Sequence, residues 1–227
     1  RIKLHILLNG FNGSMGKAIR ELPQSNPSIT FHDFKLNTVD SVKPLLVMDF
    51  SSPDCLSGIL EICIAHKLPL LTGTTGFTAE HREMLEKAQE IIPILVASNM
   101  SIGIASLKKS IEKFLTTSQE PLLCNLVEIH HTQKFDAPSG TAIEILRFLE
   151  KFPENKIKGP ITVNSHRFGN VFGIHRVEFQ SSKETIFFQH IANSRDIFAA
   201  GAIAAAKWVE SNQPGLYSFG DFLVKKL

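Results

Sequence analysis

I-K-L-H-I-L-L-N-G-F-N-G-S-M-G, residues 2–16, joins a short apolar run to a turn with glycine at every third position. The run Ile2–Leu8 has the bulk of a buried strand, and a helix over about Met15–Leu22 is expected to follow it. Gly10 then permits a tight turn, Gly13 lets the backbone approach a pyrophosphate, and Gly16 lets the helix pack closely on the sheet. The stretch predicts a dinucleotide-binding unit, although an ordinary glycine-rich turn has the same pattern.

Strands and helices alternate over the residues that follow. This alternation predicts an α/β domain with a Rossmann-like parallel sheet, in which ligands bind beyond the carboxyl ends of the strands. The predicted strands are Thr30–Leu36, Leu45–Phe50, Leu68–Leu71 and Ile94–Ala97, and the predicted helices between them are Leu56–His66 and Ala79–Ile91.

Three loops of small and polar residues fall at those carboxyl ends: Ser51–Pro53, Gly73–Gly76 and Ser98–Met100. Each alone indicates little, because plain turns have the same composition. They are expected to converge on the crevice of the glycine turn, however, and together they support a dinucleotide site there.

The tip of the second strand is expected to select the cofactor, with an acid favouring NAD and a base favouring NADP. The tip is expected about twenty residues beyond Gly16, at residues 34–37. Asp33 comes slightly before this position and is expected to lie within the strand, whereas Lys35 lies near the tip. A lysine can meet the additional phosphate as a point charge, so Lys35 favours NADPH. NADH remains the alternative.

The pattern changes after Pro121. A strand over Leu122–His131 is followed by a helix and by two further strands, Phe172–Gln180 and Glu184–Ile191. This order predicts a second α+β domain with a more open, mixed sheet. A helix over about Arg195–Glu210 is expected to pack back on the first domain.

Chemical groups are densest in E-I-H-H-T-Q-K-F-D-A-P-S-G-T-A, residues 128–142. Side chains alternate along a strand, so Glu128 and His130 are expected on one face and His131 on the other. Lys134 lies in the connecting turn, and Pro138 is expected at an early position of the helix that follows.

Free amides at Ser139, Gly140 and Thr141 would bind a carboxylate at this helix start, helped by the helix dipole and a nearby cation. A histidine, a fixed lysine and such amides suit an enzyme that holds a small anion, here a dicarboxylate, and protonates it. The alternative is that Ser139 only caps the helix while the histidines occupy ordinary surface positions. Five other basic residues could line the same cleft, although each is expected to be a solvated or structural group: His166, Arg167, Arg176, His190 and Arg195. Arg195 is the best candidate among them.

Composition excludes several classes of protein. With 227 residues and 43% apolar content the chain can bury a sizeable core, and a net charge of +2 provides no basic field for nucleic acid. No apolar run would span a bilayer, and the glycine turn comes too early for a signal peptide, so no membrane partner and a cytoplasmic location are expected. The chain begins at Arg1 without methionine, so a few residues are expected to be missing.

The cysteines Cys55, Cys63 and Cys124 form no C-x-x-C pair and lie in apolar surroundings. They are expected to be reduced, and neither a disulfide framework nor a metal site is expected.

The motif H-H-x-x-K-x-D-A-P-S-G-T-A, residues 130–142, resembles the signature of the 4-hydroxy-tetrahydrodipicolinate reductases, formerly called dihydrodipicolinate reductases, of bacterial lysine and diaminopimelate biosynthesis. Other motifs occur in that family's order: the glycine turn, G-T-T-G-F at 73–77, S-N-M-S-I-G at 98–103 and S-R-x-x-F-A-x-G-A at 194–202. The resemblance covers nearly the whole chain.

The resemblance implies an NAD(P)H-dependent reduction of a cyclic dicarboxylate by a homotetramer. It implies a cofactor domain over residues 1–100 and 196–227, and a domain over 101–195 that binds substrate and carries the tetramer contacts. His130 is implied as the catalytic proton donor or acceptor and Lys134 as a proton donor. The expected substrate ligands are His131, Ser139, Gly140 and Thr141, and the expected cofactor ligands, with Lys35, are Gly10, Asn12, Gly13, Ser14, Met15, Gly16, Gly73, Thr74, Thr75, Ala97, Ser98, Asn99 and Met100.

Two features depart from the family's pattern. Members often carry an acid at the end of the second strand, close to the place of Leu36 here, which leaves the choice between NADH and NADPH open. The segment Asn37–Pro44 is also short and leaves little room for additional structure over the adenosine.

Two other interpretations remain. A dehydrogenase acting on an aspartate-derived semialdehyde through a thioester would need a reactive cysteine, and Cys124 has no activating group nearby in sequence. A nucleotide-sensing module without turnover would keep the glycine turn but would not need His130, Lys134 and Asp136 together.

Overall fold

The computed structural model describes residues 4–22, 29–35 and 38–224, and the chain divides into two compact units. Unit 1 comprises residues 1–100 and 196–227, and unit 2 comprises residues 101–195. Leu36 and Asn37, where the sequence departs from the family's pattern, lie outside the described residues.

The elements of the described residues follow in chain order. The strands are β1 Leu4–Asn9, β2 Ile29–Asp33, β3 Leu46–Asp49, β4 Leu70–Thr72, β5 Pro93–Val96, β6 Leu123–His130, β7 Thr162–Arg167, β8 Gly173–Gln180, β9 Thr185–Ala192 and β10 Gly215–Ser218. The helices are α1 Ser14–Glu21, α2 Thr38–Val42, α3 Leu56–His66, α4 Ala79–Ala88, α5 Ile102–Thr117, α6 Gly140–Leu149, α7 Asp196–Glu210 and α8 Phe219–Val224, and a 3-10 turn covers Pro53–Cys55.

Unit 1 contains a six-stranded sheet in the order β10-β5-β4-β3-β1-β2, and all its strand pairs are parallel. Strands β3 and β4 are buried along their whole length, as expected of central strands covered on both faces. Helix α7 packs on α1, β4 and β5 through small residues, and a Cβ at Gly201 would lie 1.7 Å from the carbonyl oxygen of Met100. Glycine therefore allows this helix to approach the backbone closely.

Unit 2 contains a four-stranded mixed sheet in the order β7-β6-β8-β9. Strand β6 is parallel to β7 and antiparallel to β8, which is antiparallel to β9. Apolar residues of α5 and α6 join those of β6 and β8 in one core cluster, so one face of the sheet is covered. A parallel Rossmann-like sheet in one unit and a mixed sheet in the other confirm the predicted fold class.

Some boundaries differ from the predicted ones. Strand β2 ends at Asp33 instead of Leu36, so Asp33 is the last residue of the strand and not an interior one. Helix α6 begins at Gly140 with Ser139 as its N-cap, so Pro138 precedes the cap and is outside the helix. A short helix that the sequence did not indicate, α2, lies between β2 and β3.

Candidate active site

The glycine turn of unit 1 has a conformation that side chains would prevent. Gly10 has φ +79°, and a Cβ there would lie 2.2 Å from the carbonyl oxygen of Phe50. A Cβ at Gly16 would lie 2.2 Å from the carbonyl oxygen of Gly10, so α1 starts directly against the end of β1. Gly13 is the N-cap of this helix, and its N–H donates to Gly10 O over 2.9 Å. The first amides of α1 thus lie at the end of the strand, where an anion would be favoured.

A buried carboxylate organises the strand ends beside this turn. Asp49, the last residue of β3, is fully buried and accepts hydrogen bonds from four side chains. These are Asn9 Nδ2 at 3.1 Å and Ser51 Oγ at 2.6 Å on Oδ1, and Thr72 Oγ1 at 2.9 Å and Thr74 Oγ1 at 2.8 Å on Oδ2. The donors come from β1, β4 and the loops after β3 and β4, so Asp49 ties together the carboxyl ends of three neighbouring strands.

The loops that carry the expected cofactor ligands follow β5, β4 and β1, and the sheet order β5-β4-β3-β1 leaves only β3 between the last two. Gly73 lies against the ring of Phe50, where a Cβ would come within 2.2 Å of a ring carbon. Thr74 and Met100 are buried, whereas Thr75 and Ser98 are exposed. The hydroxyl of Thr74 is engaged by Asp49, so any contribution of Thr74 to a ligand comes from its backbone.

The end of β2 carries both candidate selectors of the cofactor. Asp33 ends the strand opposite Leu8 of β1, and the Lys35 ammonium lies 3.8 Å from its carboxylate. Both side chains are substantially exposed. The acid and the base therefore stand at the same strand tip, and neither cofactor is excluded by their placement.

In unit 2, Glu128 and His130 lie on one face of β6, as the strand alternation predicted. Glu128 is 0% exposed and His130 is 7% exposed. Oε2 of Glu128 lies 2.5 Å from Nδ1 of His130. Among the described residues neither atom has another hydrogen-bonding partner, so the two are in direct contact with each other, although the alignment departs from that of an ideal hydrogen bond. His131 follows the end of the strand and is half-buried.

Arg167, the last residue of β7, joins this pair to the loop that follows β6. Its Nη1 donates to Oε1 of Glu128 over 2.9 Å, and its Nε donates to the carbonyl oxygen of Lys134 over 3.1 Å. Its Nη2 donates to the carbonyl oxygen of Asp136. Burial by itself would raise the pKa of Glu128, but the interactions with His130, Ser165 and Arg167 outweigh it and hold that pKa well below its ordinary value.

His175 of β8 lies between His130 and the start of α6. Its ring meets that of His130 edge-on, with centroids 5.0 Å apart, and its Nε2 lies 3.1 Å from Oγ of Ser139. Burial, followed by the proximity of His130, lowers the pKa of His175 to about 3, so this ring is neutral at neutral pH. Ser139 Oγ also accepts the N–H of Ala142 over 3.2 Å. The Ser139 hydroxyl is therefore used within the protein, and its amide is the part left for a substrate.

Lys134 and the start of α6 complete the site. Lys134 Nζ lies 2.8 Å from Oδ1 of Asp136. Burial would raise the pKa of Asp136, but hydrogen bonds from Lys134 and the amide of Gly140 lower it. A Cβ at Gly140 would meet no atom within 4 Å, so the helix start is open at this residue. Thr141 is half-buried in the first turn.

Glu128, His130 and His175 each offer one ligand atom within 4.8 Å of the others, a spacing that a metal ion can use. Two observations oppose this use. The 2.5 Å separation of Glu128 Oε2 and His130 Nδ1 is that of two groups in direct contact, and the Arg167 guanidinium on the same carboxylate repels a second cation. The expectation of no metal stays a prediction.

Sequence reasoning missed four residues of these networks. Asp49 and His175 received no role, Arg167 was expected to be solvated or structural, and Glu128 was assigned only to a face of its strand. An acid within the apolar run L-L-V-M-D-F was the available signal for Asp49, since a charge there must have buried partners. Arg195, which was preferred to Arg167, is exposed at the end of unit 2.

No helix in the described part of the chain is both long and apolar enough to span a lipid bilayer.

Known families match the sequence in two consecutive segments. Residues 34–100 match "Dihydrodipicolinate reductase, N-terminus" and residues 103–223 match "Dihydrodipicolinate reductase, C-terminus". The 4-hydroxy-tetrahydrodipicolinate reductase of Bdellovibrio bacteriovorus is 36% identical, over 99% of this chain and 98% of its own length. The enzyme of the same name from Alkaliphilus metalliredigens is 35% identical, over 97% and 99%.

Solved structures with a similar fold include a dihydrodipicolinate reductase and a probable dehydrogenase. A structure described as dipicolinate-bound dihydrodipicolinate reductase, from a Paenisporosarcina species, superposes with a TM-score of 0.77 over 96% of this chain and 98% of that one, at 20% identity. A probable dehydrogenase from Thermotoga maritima follows at a TM-score of 0.63 and 12% identity, over 97% of this chain and 93% of that one. At such identities the likeness shows the fold alone. The sequence matches show more: this chain belongs to the dihydrodipicolinate reductase family of oxidoreductases.

Proposed function

We propose that this chain reduces 4-hydroxy-tetrahydrodipicolinate to tetrahydrodipicolinate with NAD(P)H, in the biosynthesis of lysine and diaminopimelate. The substrate first loses water to give dihydrodipicolinate. The nicotinamide supplies a hydride to the unsaturated ring, and a proton completes the reduction. Family membership and the names of the relatives support the reaction and a small dicarboxylate as substrate.

One observation supports the assignment most directly: His130, Lys134 and the open start of α6 lie in one connected group of ring contacts, ion pairs and hydrogen bonds within unit 2. His130 reaches the N-cap Ser139 through His175, and Lys134 reaches Gly140 through Asp136. This arrangement combines proton donors with amides that favour a carboxylate. We assign His130 and Lys134 to proton transfer, and His131, Ser139, Gly140 and Thr141 to the substrate carboxylates.

Unit 1 is proposed to hold the cofactor, and unit 2 the substrate. The amides of α1 beside Gly10 and Gly13 fit a pyrophosphate, since side chains are absent where the backbone must be approached. The loops Gly73–Thr75 and Ala97–Met100 follow neighbouring strands and would contact the remainder of the dinucleotide. Asp33 would accept hydrogen bonds from ribose hydroxyls, and Lys35 would meet the additional phosphate of NADPH.

The decisive experiment measures oxidation of NADPH and of NADH in the presence of freshly generated 4-hydroxy-tetrahydrodipicolinate. We expect turnover that requires this substrate, with one cofactor preferred. His130→Gln should lower kcat by a factor on the order of a hundred while leaving NADPH binding nearly intact. Failure of the wild-type protein to oxidise either cofactor in a substrate-dependent manner would refute the proposal and favour a sensing module without turnover.

A thioester-forming semialdehyde dehydrogenase is disfavoured by its required nucleophile. Cys124 is buried in β6, and burial raises its pKa to about 12, so almost no thiolate forms at neutral pH. Cys124→Ser should therefore retain activity.

We further propose that the protein is a homotetramer, as the family resemblance implies, and that it acts in the cytoplasm. The second face of the mixed sheet offers a surface for subunit contacts, because Leu123, Phe187 and Ile191 point away from the core and are exposed. Light scattering coupled to gel filtration would test the tetramer, and a monomer at assay concentration would contradict it.

A further inference from the structure

Glu128 is a carboxylate that the protein has buried completely. An isolated buried charge is costly, so its partners determine its role. One oxygen contacts Nδ1 of His130 and the other accepts from Nη1 of Arg167. Both oxygens of the side chain are therefore committed to the group that carries the proposed proton donor.

The contact with Glu128 assigns the two nitrogens of His130 to different tasks. An ionised carboxylate can only accept, so Nδ1 keeps its proton whether the ring is neutral or charged. Nε2 is then the nitrogen that gains and loses the exchangeable proton. Nε2 lies next to Gly173. A Cβ on this residue would be 3.0 Å from Nε2, so glycine leaves room beside the ring.

Arg167 links the carboxylate to the loop of the second proton donor. Its guanidinium reaches Glu128 and the carbonyl oxygens of Lys134, Asp136 and His166. A guanidinium spreads its donors over three nitrogens and can reach acceptors on several sides, whereas the donors of a lysine ammonium all lie on one nitrogen. One side chain thus fixes strand β6 and the loop after it relative to each other.

We infer that Glu128 and Arg167 are positioning residues of the reduction: Glu128 holds the Nδ1 proton of His130 so that Nε2 faces the substrate, and Arg167 holds Glu128 and the Lys134 loop in register. The inference rests on the proposed function. Neither residue has to touch substrate for this role.

The charged and titratable groups around His130 set the expected pH behaviour. Glu128 faces it from its own strand, Arg167 from β7 and His175 from β8, while Lys134 and Asp136 lie in the loop held by Arg167. Glu128 contributes the negative charge in direct contact with the ring. Removing that charge disfavours the imidazolium, so a reaction that uses it as the acid should lose activity at a lower pH than before.

The test compares Glu128→Gln with Glu178→Gln. Glu178 is a matched control because it is also paired with an arginine, Arg176, but lies half-buried on the other face of the same sheet, away from His130. Since subunit contacts are proposed on that face, gel filtration is used to check that each variant keeps the oligomer of the wild type. The quantities are kcat, the KM for each substrate and the pH profile of kcat. We expect Glu128→Gln to lower kcat on the order of tenfold to a hundredfold and to move the alkaline limb to lower pH. Glu178→Gln should do neither, and Glu128→Asp should restore part of the loss.

Arg167→Lys and Arg176→Lys form the second matched pair. We expect Arg167→Lys to lower kcat while the KM for NADPH stays unchanged, and Arg176→Lys to leave kcat near the wild-type value. Unchanged kcat in Arg167→Lys would overturn the role of Arg167.

Imidazole ¹⁵N–¹H spectra of the wild-type protein provide a readout that does not depend on turnover or on a variant that folds. A neutral His130 with its proton on Nδ1 supports the inference, and a proton on Nε2 alone overturns it. An active wild-type enzyme whose Glu128→Gln variant keeps its kcat and alkaline limb also overturns the inference while leaving the proposed function intact. A wild-type protein without turnover, by contrast, refutes the proposed function.

Discussion

The ammonium nitrogen of Lys134 lies 2.8 Å from Oδ1 of Asp136, so the expected proton donor is already paired with an acid two residues further along the loop. Asp136 is more than half exposed, and exposed ion pairs contribute little to stability. The lysine can therefore exchange this partner for a substrate carboxylate at small cost. Asp136 keeps the cation oriented without removing it from the reaction.

Lys134→Ala should lower kcat by a factor on the order of a hundred, because both the cation and a proton donor are lost. Steady-state kinetics with 4-hydroxy-tetrahydrodipicolinate measure the loss, and fluorescence titration measures NADPH binding. The Kd for NADPH should stay within about twofold, since Lys134 belongs to unit 2 and the proposed cofactor ligands belong to unit 1.

Lys183→Ala is the matched control for this substitution. Lys183 is exposed in the turn between β8 and β9, so its removal should leave kcat unchanged. Equal losses in the two variants would show that the effect of Lys134→Ala is not specific to the site.

Asp49→Asn should weaken dinucleotide binding more than tenfold. The carboxylate accepts from Asn9, Ser51, Thr72 and Thr74, and an amide in its place presents a donor to two of these donors. Unsatisfied buried groups cost about 1–3 kcal/mol each, so the loops after β3 and β4 should shift or the protein should lose stability. Cofactor titration and urea unfolding measure the two effects.

Asp54→Asn provides the comparison within the same strand-end region, because Asp54 is exposed in the 3-10 turn after β3. It should change neither the Kd nor the unfolding midpoint. Wild-type cofactor affinity in Asp49→Asn would contradict the role given to the carboxylate.

The sequence predicted the elements that bury apolar side chains with a regular period. The run before Gly10 and the alternation around His130 identified β1 and β6, because burial of one face leaves a pattern in the residue types. Strand β7 was missed because T-V-N-S-H-R, at the edge of the sheet, has one apolar residue. Strand β10 is four residues long and carries too little pattern to stand out.

In the candidate site, too, the sequence identified residues within one motif and missed residues that other strands bring to it. His130 and Lys134 stand in a dense motif, whereas Arg167 and His175 come from β7 and β8 and meet them only through strand register. His130 pairs with Arg167, and Glu128 lies opposite His175. Such pairings depend on which strands become neighbours, which local sequence does not specify. The same reasoning explains why Asp49 was overlooked, since its partners come from separate segments.

Cysteine reactivity should follow burial. Hydrogen bonds from Ser52 and Ser51 lower the pKa of exposed Cys55, whereas burial raises the pKa of Cys63 and Cys124 to about 12. Iodoacetamide should therefore alkylate Cys55 alone in the folded protein, because the thiolate is the reactive form. Mass spectrometry of tryptic peptides identifies the site. Cys55→Ser should abolish native labelling, and labelling of Cys124 before unfolding would contradict the buried position of β6.

His175 should make the protein less stable as the pH falls through the range where unfolded histidines take up protons. Its pKa is lowered to about 3 in the folded state, by burial first and by His130 second, against about 6.5 when unfolded. Between these values the unfolded state binds one more proton than the folded state, so the free energy of unfolding rises with pH. Between the two pKa values the slope is about 1.4 kcal/mol per pH unit. The stability is fully present above the unfolded pKa and is lost as the pH falls towards the folded pKa.

Urea unfolding between about pH 5 and pH 6 covers this range, and Glu128, whose pKa is also lowered, begins to matter only below the pKa of an unfolded glutamate near 4.3. Burial also lowers the pKa of His190 and of His32, so both add to the slope of the wild type, and the contribution of His175 is the difference between the wild type and a variant without it. His175→Gln should reduce the slope of unfolding free energy against pH by about 1 kcal/mol per unit, whatever its effect on absolute stability. His166→Gln removes an exposed histidine of the same unit and should leave the slope nearly unchanged. An identical slope in His175→Gln and the wild type would mean that His175 accepts a proton in the folded protein, and its contact with Ser139 would then have to be reassigned.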